Sequence, residues 1–208
     1  MRPKVDFSGL WEMDYRRSDR ADLKIRAKYL EALIEERRQY QQEQEREMRH
    51  FGNLIGPMVL MNEDPRRSRT QGVIAIGTLA EKISKSSVFR ISQSETRIVI
   101  DRDEDFSLVC NFMEQSSRVS SLGAERCYWH GDQLVFDIML PEGLDVRHVL
   151  SLGKNRQILN VATTLFYRKA GPPFTLNRAY TPFEPVESTY DCEFKLATLK
   201  TCTMGSPD

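Results

Sequence analysis

The sequence predicts a mainly β protein, an antiparallel up-and-down β-barrel with one long helix inserted near its N-terminus. Three observations carry that prediction. After residue 87 apolar side chains alternate with polar ones, and turn-forming residues recur at short intervals, as in an antiparallel meander. From Ala21 to Met48 there is neither Gly nor Pro, and Glu, Arg, Gln, Lys and Ala dominate, a composition suited to a helix. Ahead of that run, Val5 to Met13 is a short alternating apolar segment that reads as a strand. A chain of 208 residues, 40% apolar and 29% charged, is long and apolar enough to form one domain with a sizeable core.

Taken in order, Ser18 or Asp19 is placed to cap the helix. Leu23, Ala27, Leu30 and Ile34 recur at spacings of three and four, widened by Leu33, and predict a buried face over the helix's first half. Beyond Ile34 the run from Arg37 to Met48 is polar on every side, so this half is expected to project into water or to meet another molecule, and Gly52 stops it. Residues 51–61 form an apolar patch broken by Gly56 and Pro57, a charged turn follows at 63–69, and 72–85 reads as a short helix. Strands are predicted at 88–93, 96–101, 106–112, 126–130, 134–140, 144–152, 157–167 and 174–181. With the strand around Trp11 they make about nine, and a sheet of that size with short connections closes on itself because closure removes the exposed edges. The division of the chain is a single domain over 1–208. It comprises a helical insertion at 20–50, an apolar connection at 51–87, barrel strands at 5–13 and 88–182, and a tail at 183–208.

Three stretches resemble a family of bacterial lipocalin-like proteins, many of them uncharacterised domains. Phe7-Ser-Gly-Leu-Trp11 with Arg17-Ser-Asp19 looks like its opening strand. Cys127-Tyr-Trp-His-Gly-Asp-Gln-Leu-Val-Phe136 looks like its Trp, Gly-Asp turn and following strand. Leu144 to Leu152, the turn at Gly153 and Pro173 to Tyr180, with its Arg-x-Tyr, resemble the closing strands. The likeness spans residues 5–19 and 88–182; the helix of 20–50 and the tail after Pro185 depart from it. The resemblance implies that Trp11 lies at the closed end of the barrel and stacks on Arg178, a plug worth roughly 0.5–2 kcal/mol. It also implies a periplasmic or cell-envelope setting if the chain is a mature form.

Charge and composition narrow the function classes. Lys plus Arg and Asp plus Glu are both 30, so no net charge draws an anionic polymer, and nucleic acid is not an expected partner. No apolar run approaches the ~20 residues of a transmembrane helix. The positive start, Met1-Arg-Pro-Lys-Val-Asp, has no apolar stretch behind it, so no signal peptide is read. Cys110, Cys127, Cys192 and Cys202 lack zinc-site spacing; a bridge between Cys192 and Cys202 and free, packed thiols are both compatible with the sequence.

Motifs that carry chemistry are incomplete. Asp101 to Asp105 has the opening spacing of a calcium loop, but Phe106 and Phe112 stand where Gly and a bidentate Glu are needed. Gly72 to Gly77 has two glycines of a phosphate loop without its Lys, and no Gly-x-Ser-x-Gly is present, so no metal, cofactor or nucleophile is assigned. Strand parity points Phe89, Ile91, Phe106, Leu108, Trp129, Phe136, Ile138 and Leu165 inward, with His148 among them, as the candidate lining for a small hydrophobic ligand. Three functions are compatible with this pattern. The first is a binding protein holding that ligand, with 51–61 as a lid. The second is a scaffold docking a protein partner on 20–50. The third, most distant, is an enzyme using His148 with a carboxylate such as Asp137 or Glu142.

Overall fold

The computed structural model describes residues 5–50, 65–103, 107–113, 117–120, 123–153, 155–167, 172–184, 190–195 and 199–204; for 47, 49–50, 65–69, 117–120 and all residues after 184 only the backbone is described. Strand β1 (Gly9–Met13) leads into helices α1 (Ala21–His50) and α2 (Pro65–Ile83). Then follow β2 (Val88–Gln93), β3 (Arg97–Arg102), β4 (Leu108–Asn111), β5 (Ser117–Ser120), β6 (Gly123–His130) and β7 (Gln133–Leu140). The remaining strands are β8 (Leu144–Leu152), β9 (Leu159–Tyr167), β10 (Phe174–Pro182), β11 (Tyr190–Lys195) and β12 (Leu199–Met204). The predicted mainly β architecture with a long N-terminal helix is what the structure shows, and the short helix expected at 72–85 is the longer α2.

Strands β1 to β10 form one antiparallel sheet in the order β4-β3-β2-β1-β10-β9-β8-β7-β6-β5. Each neighbour is its sequence neighbour except at β1–β10, where the first strand pairs with the last (Met13 opposite Tyr180) and curls the sheet into a nearly closed barrel. The seam lies where β4 meets β6, and there the Cys110–Cys127 disulfide bridges the two strands. The sequence leaves the pairing of its four cysteines open, because closure of the sheet, and not spacing, brings these two strands together. Cys192 and Cys202 stand opposite each other in the β11–β12 register. At the β6 end of the sheet Gly123 has φ +132°, and a Cβ there would stand 2.3 Å from the Met139 carbonyl oxygen, so the strands approach only because no side chain intervenes.

The inner face is divided into two apolar clusters. One, at the seam end, gathers Phe7, Ile91, Ile98, Leu134, Leu159 and Tyr180 with their neighbours. The other joins Val146, Leu165, Phe174 and Leu176 to Ala21 of α1 and Ile76 and Ala80 of α2. The helices therefore cap one end of the barrel by burying their apolar residues on the strands there. Gly77 of α2 lets α1 come close: a Cβ on it would lie 2.4 Å from Ile25 Cγ1.

That close approach decides which side of α1 faces inward, and it is not the side the periodicity predicts. Ala21 is buried, and Ile25, Tyr29 and Ala32 are partly buried, whereas Leu23, Leu30, Leu33 and Ile34 stay on the exposed side. Ile34 is 62% exposed and Leu30 49%. The helix carries two apolar faces, and the one that bears Ala21 and Ile25 is packed, where Gly77 of α2 makes room for Ile25. The expected N-caps are also used elsewhere. Ser18 Oγ accepts from the Ala179 amide at 3.0 Å, and the Asp19 carboxylate accepts from the Asn177 amide at 2.6 Å and Lys24 Nζ at 2.6 Å. Burial pushes the Asp19 pKa up, but those donors outweigh it and hold the carboxyl below its ordinary value.

Candidate functional site

Between the two clusters, on the inner faces of β8, β9 and β10, lies a belt of polar groups. Cross-strand neighbours His148 and Thr163 are hydrogen-bonded, Nδ1 to Oγ1 at 3.0 Å, and both are almost wholly buried. Arg178, 9% exposed, donates through Nη1 to the Asp19 carbonyl at 2.6 Å and through Nε to Ser84 Oγ at 3.4 Å. The Tyr180 hydroxyl donates to the Ser86 carbonyl at 3.0 Å, and its ring stacks on Phe89 with centroids 4.3 Å apart. Each buried polar group in the belt thus has a partner, as burial demands.

Burial, and secondarily the positive charge of Arg102, push the His148 pKa down to about 3, so the ring is neutral at any physiological pH. Burial pushes the Tyr180 hydroxyl well above its ordinary range, so it too is neutral and a donor. These groups surround a hollow of about 10 Å3, whose lining includes His148, Thr163, Arg178, Tyr180 and Arg102. That is room for roughly one water molecule.

The candidate lining residues separate on this frame. Phe89, Leu108 and His148 reach the hollow. Ile91 and Phe136 are buried in the seam-end cluster, where Trp129 packs beside Phe7 (ring centroids 5.7 Å apart) and Phe112 (5.8 Å). Leu165 and Ile138 lie in the other cluster, beneath the helical cap. Phe106 and the apolar patch at 51–61 lie outside the described residues.

Two expectations are corrected. Trp11 sits opposite Pro182 in the β1–β10 register, four positions from Arg178, or roughly 13 Å along the strand. The indole donates to the Phe7 carbonyl at 2.9 Å, and the guanidinium serves the two ends of the helical insertion instead of stacking on Trp11. The acid–base pairing of His148 with Asp137 or Glu142 also fails. Asp137 has the opposite strand parity and points outward, bound by Arg147 at 2.6 Å and Arg126 at 2.9 Å. Burial raises its pKa, but the two guanidiniums outweigh that and hold the carboxyl below its ordinary value. Glu142 is an exposed residue of the β7–β8 turn, with φ +66°.

Sequence reasoning missed Ser84, Ser86, Arg102 and Thr163. Thr163 shares the parity of Leu159, Val161 and Leu165 and was legible as inward-facing, but nothing local marks the two serines.

A second feature is on the surface. A shallow groove of about 470 Å3 runs along α1, lined by Leu30, Leu33, Ile34, Glu36, Arg37 and Tyr40, and the buried Glu36 Oε1 in it has no hydrogen-bond partner. No helix among the described residues is long and apolar enough to cross a membrane. Compared with known protein families, curated proteins and solved structures, the chain matches none.

Proposed function

We propose that the protein is a non-catalytic interaction module, in which the barrel holds α1 as a rigid platform and the outer face of α1 docks a protein partner. One observation carries this reading. Leu23, Leu30, Leu33 and Ile34 have the spacing of a buried helix face yet remain 38–62% exposed, while the hollow described among the inner-face residues holds only about 10 Å3. An apolar stripe flanked by Lys28, Glu31, Glu35 and Arg37 suits a partner that offers an apolar helix or groove with charges of both signs at its rim. The test is the double substitution Leu30→Asp/Ile34→Asp. Both residues are already half exposed, so thermal stability should stay within about 0.5 kcal/mol of the parent. A photo-crosslinker placed at Arg37 should trap one defined protein in the native cell, and the substitutions should abolish that adduct. An adduct that survives them would refute the reading.

The barrel favours a second reading, a binding protein for one small, largely apolar ligand. The belt around His148, Thr163 and Arg178 is the kind of buried polar set that orients a guest within an apolar chamber. Ile83 and Ser84 are the described lining residues that lie off the strands, so room for a guest comes from movement of the helical cap. Incubation with octan-1-ol and decan-1-ol followed by native mass spectrometry tests it; failure to retain either alcohol in one-to-one ratio would count against an apolar guest.

A further inference from the structure

We propose that the partner of α1 is a second copy of this chain, and that the two α1 helices lie antiparallel across a two-fold axis at Glu35. The inference rests on the first reading above, that the outer face of α1 docks a protein, and it names that protein.

The spacing of the groove carries the argument. Its six lining residues stand at mirror positions about Glu35. Ile34 and Glu36 lie one residue to either side, Leu33 and Arg37 two, and Leu30 and Tyr40 five. In an isologous interface each residue that faces another is faced by it in return. Two helices laid head to tail about that centre therefore match every lining residue with another. Across the axis Leu30 stands level with Tyr40, Leu33 with Arg37 and Ile34 with Glu36. At about 100° per residue Glu35 itself lies on the side of the helix away from the groove. Arg38 holds its carboxylate at 3.5 Å, so the axis brings no two carboxylates together.

Charge agrees with that arrangement. Lys28 and Glu31 are paired within the helix at 2.6 Å, as are Glu35 and Arg38. The two charges inside the groove are not: Glu36 Oε1 is buried without a hydrogen-bond partner, and Arg37 is exposed with no ion pair among the described residues. A buried carboxylate oxygen left unpaired is costly. Across the axis Arg37 stands level with Leu33, less than one turn from Glu36, so each copy supplies the cation that the other lacks.

The ends of the helix fit the same axis. Residues 20–28 hold four basic residues and one acidic, whereas 42–50 hold three acidic residues and two arginines. Antiparallel copies lay the first segment along the second, twice over, and a parallel pair would lay like against like. The second half of α1, polar on every side, thereby gains a surface to lie against. The sheet is tied to α1 at its N-terminal end, where the Asn177 amide donates to Asp19 at 2.6 Å. The two barrels thus sit at opposite ends of the helix pair and do not compete for space.

Sedimentation equilibrium of the full chain from about 1 to 300 µM should show a monomer and a dimer, as expected of an interface at the small end of the specific range. Leu30→Asp/Ile34→Asp should weaken the association about 100-fold or more. Direction is read on the parent sequence with nitroxides on an encoded keto amino acid replacing Arg38 or Glu45, both exposed. Those positions are three and ten residues from the axis, so the distance between labels in the dimer should be about 10–20 Å longer at 45 than at 38. Equal distances, the mark of a parallel pair, would overturn the inference, as would a dimer that Leu30→Asp/Ile34→Asp leaves intact. A monomer at every concentration would overturn it too, and the crosslinker at Arg37 then separates the two claims. An adduct with a different protein would keep α1 as a docking face, and no adduct would overturn both.

Discussion

Removing the seam disulfide should open the barrel along one line and leave the rest standing. Cys110 and Cys127 are 17 residues apart, so their bridge closes a short loop in the unfolded chain. Chain entropy for a loop of that size gives about 3 kcal/mol of stabilisation. For a protein of this length that corresponds to a fall in Tm of roughly 6–12 °C. The double variant Cys110→Ala/Cys127→Ala removes this bridge alone. Thermal unfolding gives the magnitude, and hydrogen exchange gives the location. Amides of 108–111 and 123–130 should lose protection, while β8 and β9, paired on both sides in the middle of the sheet, should keep theirs. A Tm within about 1 °C of the parent would show that the bridge adds little beyond the contacts around it, against the chain-entropy expectation. Protection lost evenly across the sheet would show that β4 and β6 are not the seam.

Acid should destabilise the fold through His148. Its folded pKa, about 3, lies below the unfolded value of about 6.5, so the unfolded state binds the extra proton between those limits. Stability is full above pH 6.5 and falls as the pH drops toward 3, by up to about 1.4 kcal/mol per unit. His148→Gln should flatten that slope in urea midpoints measured from pH 7 to pH 4, and an unchanged slope would show that the ring does not titrate on unfolding. Gly77→Ala gains helix propensity of about 1 kcal/mol but drives a methyl into Ile25, at 2.4 Å from Cγ1, so a net loss of about 1–2 kcal/mol in chemical denaturation is expected. A more stable variant would mean that α1 and α2 are not in contact there. Arg178→Met should raise hydrogen exchange in α2 about tenfold, on the loss of roughly 1.5 kcal/mol of hydrogen bonding, and in the first turn of α1 by less, because Asp19 loses the guanidinium but keeps its contacts with Asn177 and Lys24. Equal increases in both helices would refute that asymmetry.

The strands were legible because period-two patterning has one meaning once a face is buried. Residues 144–152 and 88–93 were read to the residue, and Leu159, Val161 and Leu165 all face inward as their alternation requires. Residues 117–120 were missed because Ser117-Arg-Val-Ser120 has a single apolar residue; it is a strand by virtue of pairing with β6. The face of α1 was misread for a different reason. Periodicity shows that a helix has an apolar side, and not which of two such sides finds a partner; Gly77, a residue on another helix, decided that. The site was half legible for the same reason. Parity placed His148, Phe89 and Phe136, but the partners of Arg178 come from the two ends of an insertion, and no local pattern records where those ends return.

Those ends return to one strand. Between Met13 and Val88 the chain leaves the sheet, builds two helices and comes back, and four consecutive residues of β10 fix both exits. The backbone amides of Asn177 and Ala179 donate to Asp19 and Ser18 ahead of α1. The side chains of Arg178 and Tyr180, facing inward, hold Ser84 and Ser86 behind α2, and Arg178 also reaches the Asp19 carbonyl at the front. The insertion's two fastenings differ in strength. The front has backbone amides on a carboxylate and the Lys24 ammonium besides, whereas the back rests on side-chain bonds to a hydroxyl and a carbonyl. The back is therefore the side that yields first, and it is also the side that closes the hollow. Because α2 packs on α1, loosening at the back reaches the face on which the exposed leucines stand.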